Sequence, residues 1–256
     1  MIQKGKMDVY DCGQVKLHAY KTNDYLENEV FILQKADNAV VIESPCFFDN
    51  RKELEQYLSD MHVAGVLLSY HMGGGTFLQN TRKFATENAS QYGHFGGGAA
   101  LIQNFSQTFG DVFDSSIHTI TDYLKAGEVT LGDIRFHILP TQEAYDIEIP
   151  EINAVYTHML GHDCHSIVAG AAQADLILAQ LYGYLDKGYD LILTSHYTPE
   201  GLKDVRTKIA YIEDLKKIAA SCAGAAAFRS AVQQRYPDYS GGNYLEMTAS
   251  FFYGND

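Results

Sequence analysis

Five side chains able to bind a transition metal crowd one short stretch of this sequence: His158, His162, Asp163, Cys164 and His165. Imidazole, thiolate and carboxylate are the donors that zinc-like ions prefer. On a helix, His158, His162 and His165 would share a face at spacings of i, i+4 and i+7. His196, in LTSHYTP, would then complete a single-ion site for zinc or another divalent transition metal, with Asp163 as a base. His71 stands apart, followed by Met72, Gly73, Gly74 and Gly75, none of which offers it a local partner, so it reads as a pocket-lining histidine.

The whole chain sets limits on that chemistry. Its 256 residues, 46% hydrophobic and 20% charged, are enough to bury a sizeable core as one domain spanning 1–256. A formal charge of −13 with no cluster of bases argues against a nucleic acid or an anionic membrane as partner. The four cysteines, Cys12, Cys46, Cys164 and Cys222, contain no C-x-x-C pair and suit reduced thiols in a cytoplasmic protein. The opening MIQKGKMDVYDCGQ has no apolar core of the kind a signal peptide needs, and no apolar run is long enough to span a bilayer.

Residues 15–45 read as strands, in VKLHAY, ENEVFILQ and NAVVIES. Asp49 and Asn50 are suited to cap a helix over RKELEQYLSDM, and a strand, VAGVLLSY, follows. The glycines after His71 then lead into an expected helix, TFLQNTRKFATE, and a further short helix is expected near AALIQNF. From Glu128 strands return as EVTLGD, IRFHILP, DIEIP and NAVYTHM, alternating as a half-wet sheet does. A helix from about Ala169 to Leu185, the strand DLILTSH, a helix opened by Pro199 and a third over AGAAAFRSAVQQRYP complete the series. The C-terminal YLEMTASFFYG reads as a last strand or a homodimer contact through Phe251, Phe252 and Tyr253. Strands then helix, twice over, predicts two sheets between helices.

In this order of elements the chain resembles the metallo-β-lactamase superfamily, from about Val15 to about Tyr239. The paired entry strands ENEVFILQ and NAVVIES, the segment VAGVLLSYHMGGGTFL at the place of the H-x-H-x-D-H motif, and DLILTSHYTP at the place of the late strand ending in His carry the likeness. The resemblance implies a four-layer αββα sandwich, with a cleft where the loops after Tyr70, Leu139, Tyr156 and Ser195 meet.

It also implies one or two zinc ions, and here the sequence departs from the pattern. Set without gaps, the motif's ligand positions fall on Tyr70, Met72, Gly74 and Gly75. The next two ligands fall on Gln142 and Met159, leaving His196 as the one that survives. A catalytic zinc needs about three protein ligands plus water. The triple-glycine runs at 73–75 and 96–98 could cradle an anion, yet they match neither a P-loop nor a dinucleotide fingerprint, and the plainer reading is that glycine fills space left by lost ligands. Tyr70, Tyr145 and Tyr197 could line the cleft or belong to the core.

The sequence therefore predicts a relative without the usual dinuclear site and with no cofactor. Its cleft, lined by Tyr70, His71, Met72, Gly74, Gly75, Gln142, Met159 and His196, would be kept for a small molecule or a protein partner. The alternative is a hydrolase with one metal rebuilt on His158, His162, His165 and His196. A purely structural subunit, seen as an obligate oligomer with a blocked cleft, is the third reading.

Overall fold

A computed structural model describes residues 4–158 and 160–254. Two sheets form. The first runs in sequence order through β1 (Lys6–Cys12), β2 (Val15–Lys21), β3 (Glu29–Lys35), β4 (Asn38–Ile42), β5 (His62–Leu67), β6 (Lys83–Thr86) and β7 (Asp122–Leu124). Its first four strands are antiparallel neighbours, and β4 to β7 pair in parallel. The second sheet is ordered β13-β12-β11-β10-β9-β8. It comprises β8 (Gly127–Leu131), β9 (Ile134–Pro140), β10 (Tyr145–Ile149), β11 (Ala154–Thr157), β12 (Leu191–Thr194) and β13 (Tyr197–Glu200).

The two-residue alternation in the sequence places each face. In β9 the residues Ile134, Phe136 and Ile138 are buried while Arg135 and His137 are exposed. Those side chains join Leu17, Phe31 and Leu33 of the first sheet in one continuous core, so the sheets pack face to face. Phe31 meets Tyr156 edge-on across the sandwich, with ring centroids 6.2 Å apart.

The chain divides into two compact units, one of residues 1–159 with 191–199 and one of 160–190 with 200–256. The first holds the sandwich together with α1 (Phe48–Tyr57), α2 (Glu87–Phe95) and α3 (Gly97–Phe109). The second holds α4 (Ala171–Lys187), α5 (Leu202–Ser221), α6 (Ala225–Arg235) and α7 (Gly242–Tyr253), which close on a core including Tyr211, Leu215, Phe228, Val232 and Leu245. Among the described residues no helix is long and apolar enough to cross a membrane.

Four local expectations change. TFLQ and the residues after it form turns leading into β6, with the helix starting only at Glu87, where the Thr86 hydroxyl accepts the Ala89 N–H at 3.2 Å. The cap position of α1 is Phe47; Asn50 lies inside the first turn and donates to the Thr22 carbonyl at 2.7 Å instead. Pro199 sits in β13, and the helix begins at Leu202. The C-terminal stretch is helical, because Leu245, Thr248 and Ala249 recur at helical spacing on the buried face of α7 while Phe252 and Tyr253 pack on Phe228.

Candidate metal centre

Three strand ends build the site. β4 and β5 run parallel, so the residues just beyond them, Glu43 and the segment from Leu68 to His71, emerge side by side. β11 and β12 are also parallel, with Thr157 opposite Thr194, so His158 and His196 leave the second sheet at the same end. Loops at the ends of parallel strands are where α/β folds gather function.

His71, His158 and His196 converge there. Their ring centroids lie 5.3 to 5.5 Å apart, and each offers a nitrogen such that all three atoms lie within 4.8 Å of one another. His196 Nδ1 donates to the Leu26 carbonyl at 3.2 Å, and His158 Nδ1 is 3.2 Å from Ser195 Oγ. Each of these two rings is thereby oriented through one nitrogen and keeps Nε2 for a ligand. The buried Nδ1 of His71 has no hydrogen-bond partner among the described residues.

Burial favours the neutral form of the three imidazoles. It holds His158 at about 3, His71 well below the ordinary imidazole value and His196 below it, and the mutual repulsion of the rings adds to the first two shifts. Neutral nitrogens are what a metal needs. Three histidines are a known donor set for a catalytic zinc with one open position. A zinc–nitrogen distance of about 2.1 Å sets tetrahedral nitrogen separations of about 3.4 Å, so the rings fit such an ion after closing in modestly. No other cluster of three histidine, cysteine or acidic ligands occurs among the described residues.

Glu43 supports the site from beneath. It is fully buried, in the left-handed backbone region at φ 67°, and accepts the N–H groups of Tyr70 at 2.8 Å, His71 at 3.0 Å and Ser69 at 3.3 Å. The Tyr156 hydroxyl donates to it at 2.6 Å. Burial pushes the Glu43 carboxyl up to about 7, against the opposing pull of these donors. Tyr70 is no ligand: its ring stacks on His158 at 4.6 Å and its hydroxyl reaches Asp146 at 3.3 Å.

The remaining expected residues fall as follows. Met72 is buried against Gly93. Gly74 and Gly75 donate their N–H groups to the carbonyls of Asp114 and Ser116, at 3.1 and 3.0 Å, so this run presents no anion cradle at those two positions. A side chain at either would strike backbone, 2.4 Å from the Pro45 carbonyl oxygen or 2.8 Å from that of Ile117, so glycine here permits close chain packing. Tyr145 belongs to the core. Gln142 is exposed in the turn between β9 and β10, and Met159 lies outside the described residues.

The expected helical face of His158, His162 and His165 does not form, because 158 and 160–169 are turns and extended chain. His162 and His165 belong to the second unit, where each already has a partner. His162 Nδ1 pairs with Glu200 at 2.8 Å and His165 Nδ1 meets the Tyr211 hydroxyl at 3.0 Å. Asp163 is exposed in that unit. Glu43, Ser195 and the Leu26 carbonyl escaped the sequence reading; an acid closing the apolar run NAVVIE was the signal for the first.

No family model matches the sequence, and no curated protein does. Solved structures do. A metallo-beta-lactamase family protein from Thermus thermophilus superimposes with a TM-score of 0.61 at 15% identity, over 89% of this chain and 87% of that one. A beta-lactamase domain protein from Burkholderia ambifaria gives 0.60 at 18%, over 94% and 88%. A stereoselective inverting sec-alkylsulfatase from Pseudomonas sp. gives 0.62 at 15%, over 92% of this chain and 48% of that one, so the chain spans about half of the sulfatase. The chain has the metallo-β-lactamase fold, the mixed α/β class expected from its sequence.

Proposed function

We propose that this protein is a hydrolase-type metalloprotein that holds a single zinc-like ion on His71, His158 and His196. The observation carrying this reading is the convergence of three imidazoles from three separate strand ends, their nitrogens within 4.8 Å of one another. It favours the single-metal alternative over the empty cleft, with His71 in place of His162 and His165. The structural neighbours, a metallo-beta-lactamase family protein and a sec-alkylsulfatase, support hydrolysis as the reaction class.

An ion so held supplies Lewis acidity and makes a bound water acidic near neutral pH. The chain's own residues do the rest. Leu26 and Ser195 orient two of the rings through Nδ1, and Glu43 fixes the backbone that carries the third. Tyr70 covers one face of His158, which keeps water from that side of the ring.

The test is elemental analysis of the purified protein after equilibration with zinc, followed by an ester, sulfate-ester and lactone panel with and without chelator. One ion per chain and chelator-sensitive turnover are expected. A wild-type protein that takes up no zinc, cobalt or manganese ends the proposal.

A further inference from the structure

We propose that Glu43, Tyr156 and Ser195 form a directed hydrogen-bond chain that sets the tautomer of His158, holding its proton on Nδ1 and leaving the Nε2 lone pair for the metal; the last clause rests on the function proposed above. The direction follows from counting protons. Glu43 Oε1 accepts from the Tyr70 and Ser69 N–H groups and lies 2.6 Å from the Tyr156 hydroxyl, which therefore donates its single proton to the carboxylate. The Tyr156 oxygen is 2.7 Å from Ser195 Oγ and can only accept there, so the serine hydroxyl donates. Ser195 then has only lone pairs left for His158 Nδ1 at 3.2 Å, and the ring nitrogen must carry the proton.

Tyr156 and Ser195 are both fully buried, which keeps bulk water from supplying alternative partners along the chain. Glu43 also binds the His71 N–H, so one carboxylate orders two of the three imidazoles. The third is ordered independently, through the Leu26 carbonyl. Tyr156, Ser195 and Glu43 are thus positioning residues, acting on the ion only through His158 and His71.

The experiment reads the tautomer directly, by long-range ¹H–¹⁵N correlation spectra of histidine-labelled, metal-free, full-length protein. In the wild type His158 should show a protonated Nδ1 and an unprotonated Nε2. In Tyr156→Phe the serine proton loses its acceptor and turns to Nδ1, so His158 should shift toward the Nε2–H form while His196 stays unchanged. Zinc affinity of that variant should fall about 10- to 100-fold, the effect usual for losing a ligand's orienting partner. Ser195→Ala, which removes the oxygen that accepts from Nδ1–H, should likewise release the Nδ1–H form, and Ser195→Thr, which keeps the hydroxyl, should keep the wild-type pattern; a Ser195→Ala protein that folds yet keeps the Nδ1–H form also overturns the relay.

A wild-type His158 protonated on Nε2, or a Tyr156→Phe spectrum identical to wild type, overturns the relay. If the tautomers behave as stated but no metal binds, the relay stands and the metal proposal falls.

Discussion

His118 offers the sharpest quantitative test of how the loop bearing His71 is held. Its backbone N–H donates to the Met72 carbonyl at 3.0 Å, and its Nε2 lies 2.9 Å from Ser44 Oγ, whose own proton goes to the Gly73 carbonyl at 2.9 Å. The serine therefore accepts from Nε2–H. Nδ1 is buried with no partner among the described residues, so a second proton there would have nothing to bind. Burial accordingly holds the imidazole at about 3, against 6.5 in an unfolded chain.

Because the folded value is the lower one, the unfolded chain takes up a proton as pH falls through 6.5 and the folded chain does not. The stability tied to His118 is complete above pH 6.5 and is lost progressively toward pH 3. At 1.36 kcal/mol per pH unit the whole span is worth about 5 kcal/mol, and about 2 kcal/mol of it falls between pH 8 and pH 5. Glu29 and Glu43, both pushed up to about 7 by burial, act in the opposite sense, so the wild-type pH profile alone is mixed. Comparison with His118→Gln, which keeps an N–H for Ser44 and removes the titration, cancels those terms.

Urea unfolding of both proteins in chelator at pH 8 and pH 5 should show the wild type losing about 2 kcal/mol more than the variant over that interval. Equal losses would mean that His118 takes up its second proton in the folded protein, which a buried Nδ1 without a partner among the described residues does not allow.

Three further outcomes follow from the same geometry. Alanine at His71, His158 or His196 should each remove most of the bound zinc measured by elemental analysis, whereas His162→Ala and His165→Ala should retain it; loss in the second pair alone would relocate the site. Gly74→Ala places a methyl group 2.4 Å from the Pro45 carbonyl oxygen at a φ of +78°, which should cost roughly 1–3 kcal/mol or more in urea unfolding and weaken zinc binding through His71. Phe228→Ala, at a fully buried position in the second unit, should cost about 3–5 kcal/mol, and a loss under about 1 kcal/mol would show that core to be loosely packed.

The strands of the sandwich were legible because each carries its burial in a local rhythm: IRFHILP alternates in sequence as β9 alternates in the structure. TFLQNTRKFATE misled for the opposite reason. Its helical propensity is overridden by parallel pairing of Lys83 and Phe84 with Val66 and Leu67, a long-range contact that no short window contains. The histidine cluster was hidden in the same way. His71 has no ligand beside it in sequence, and its partners arrive from the ends of β11 and β12, whose common register depends on the sheet being assembled. By contrast, the dense run from His158 to His165 drew attention through proximity along the chain, yet the backbone there is not helical and only its first member reaches the site. Local density of ligand-type residues is thus a poor guide when coordination needs convergence in space, and a lone histidine at the end of an apolar strand such as VAGVLLSY deserves the weight that the cluster received. The same logic makes Glu43 informative: an acid at the end of a buried strand, in the left-handed backbone region, is accommodated there because four donors, the N–H groups of Ser69, Tyr70 and His71 and the Tyr156 hydroxyl, satisfy its oxygens.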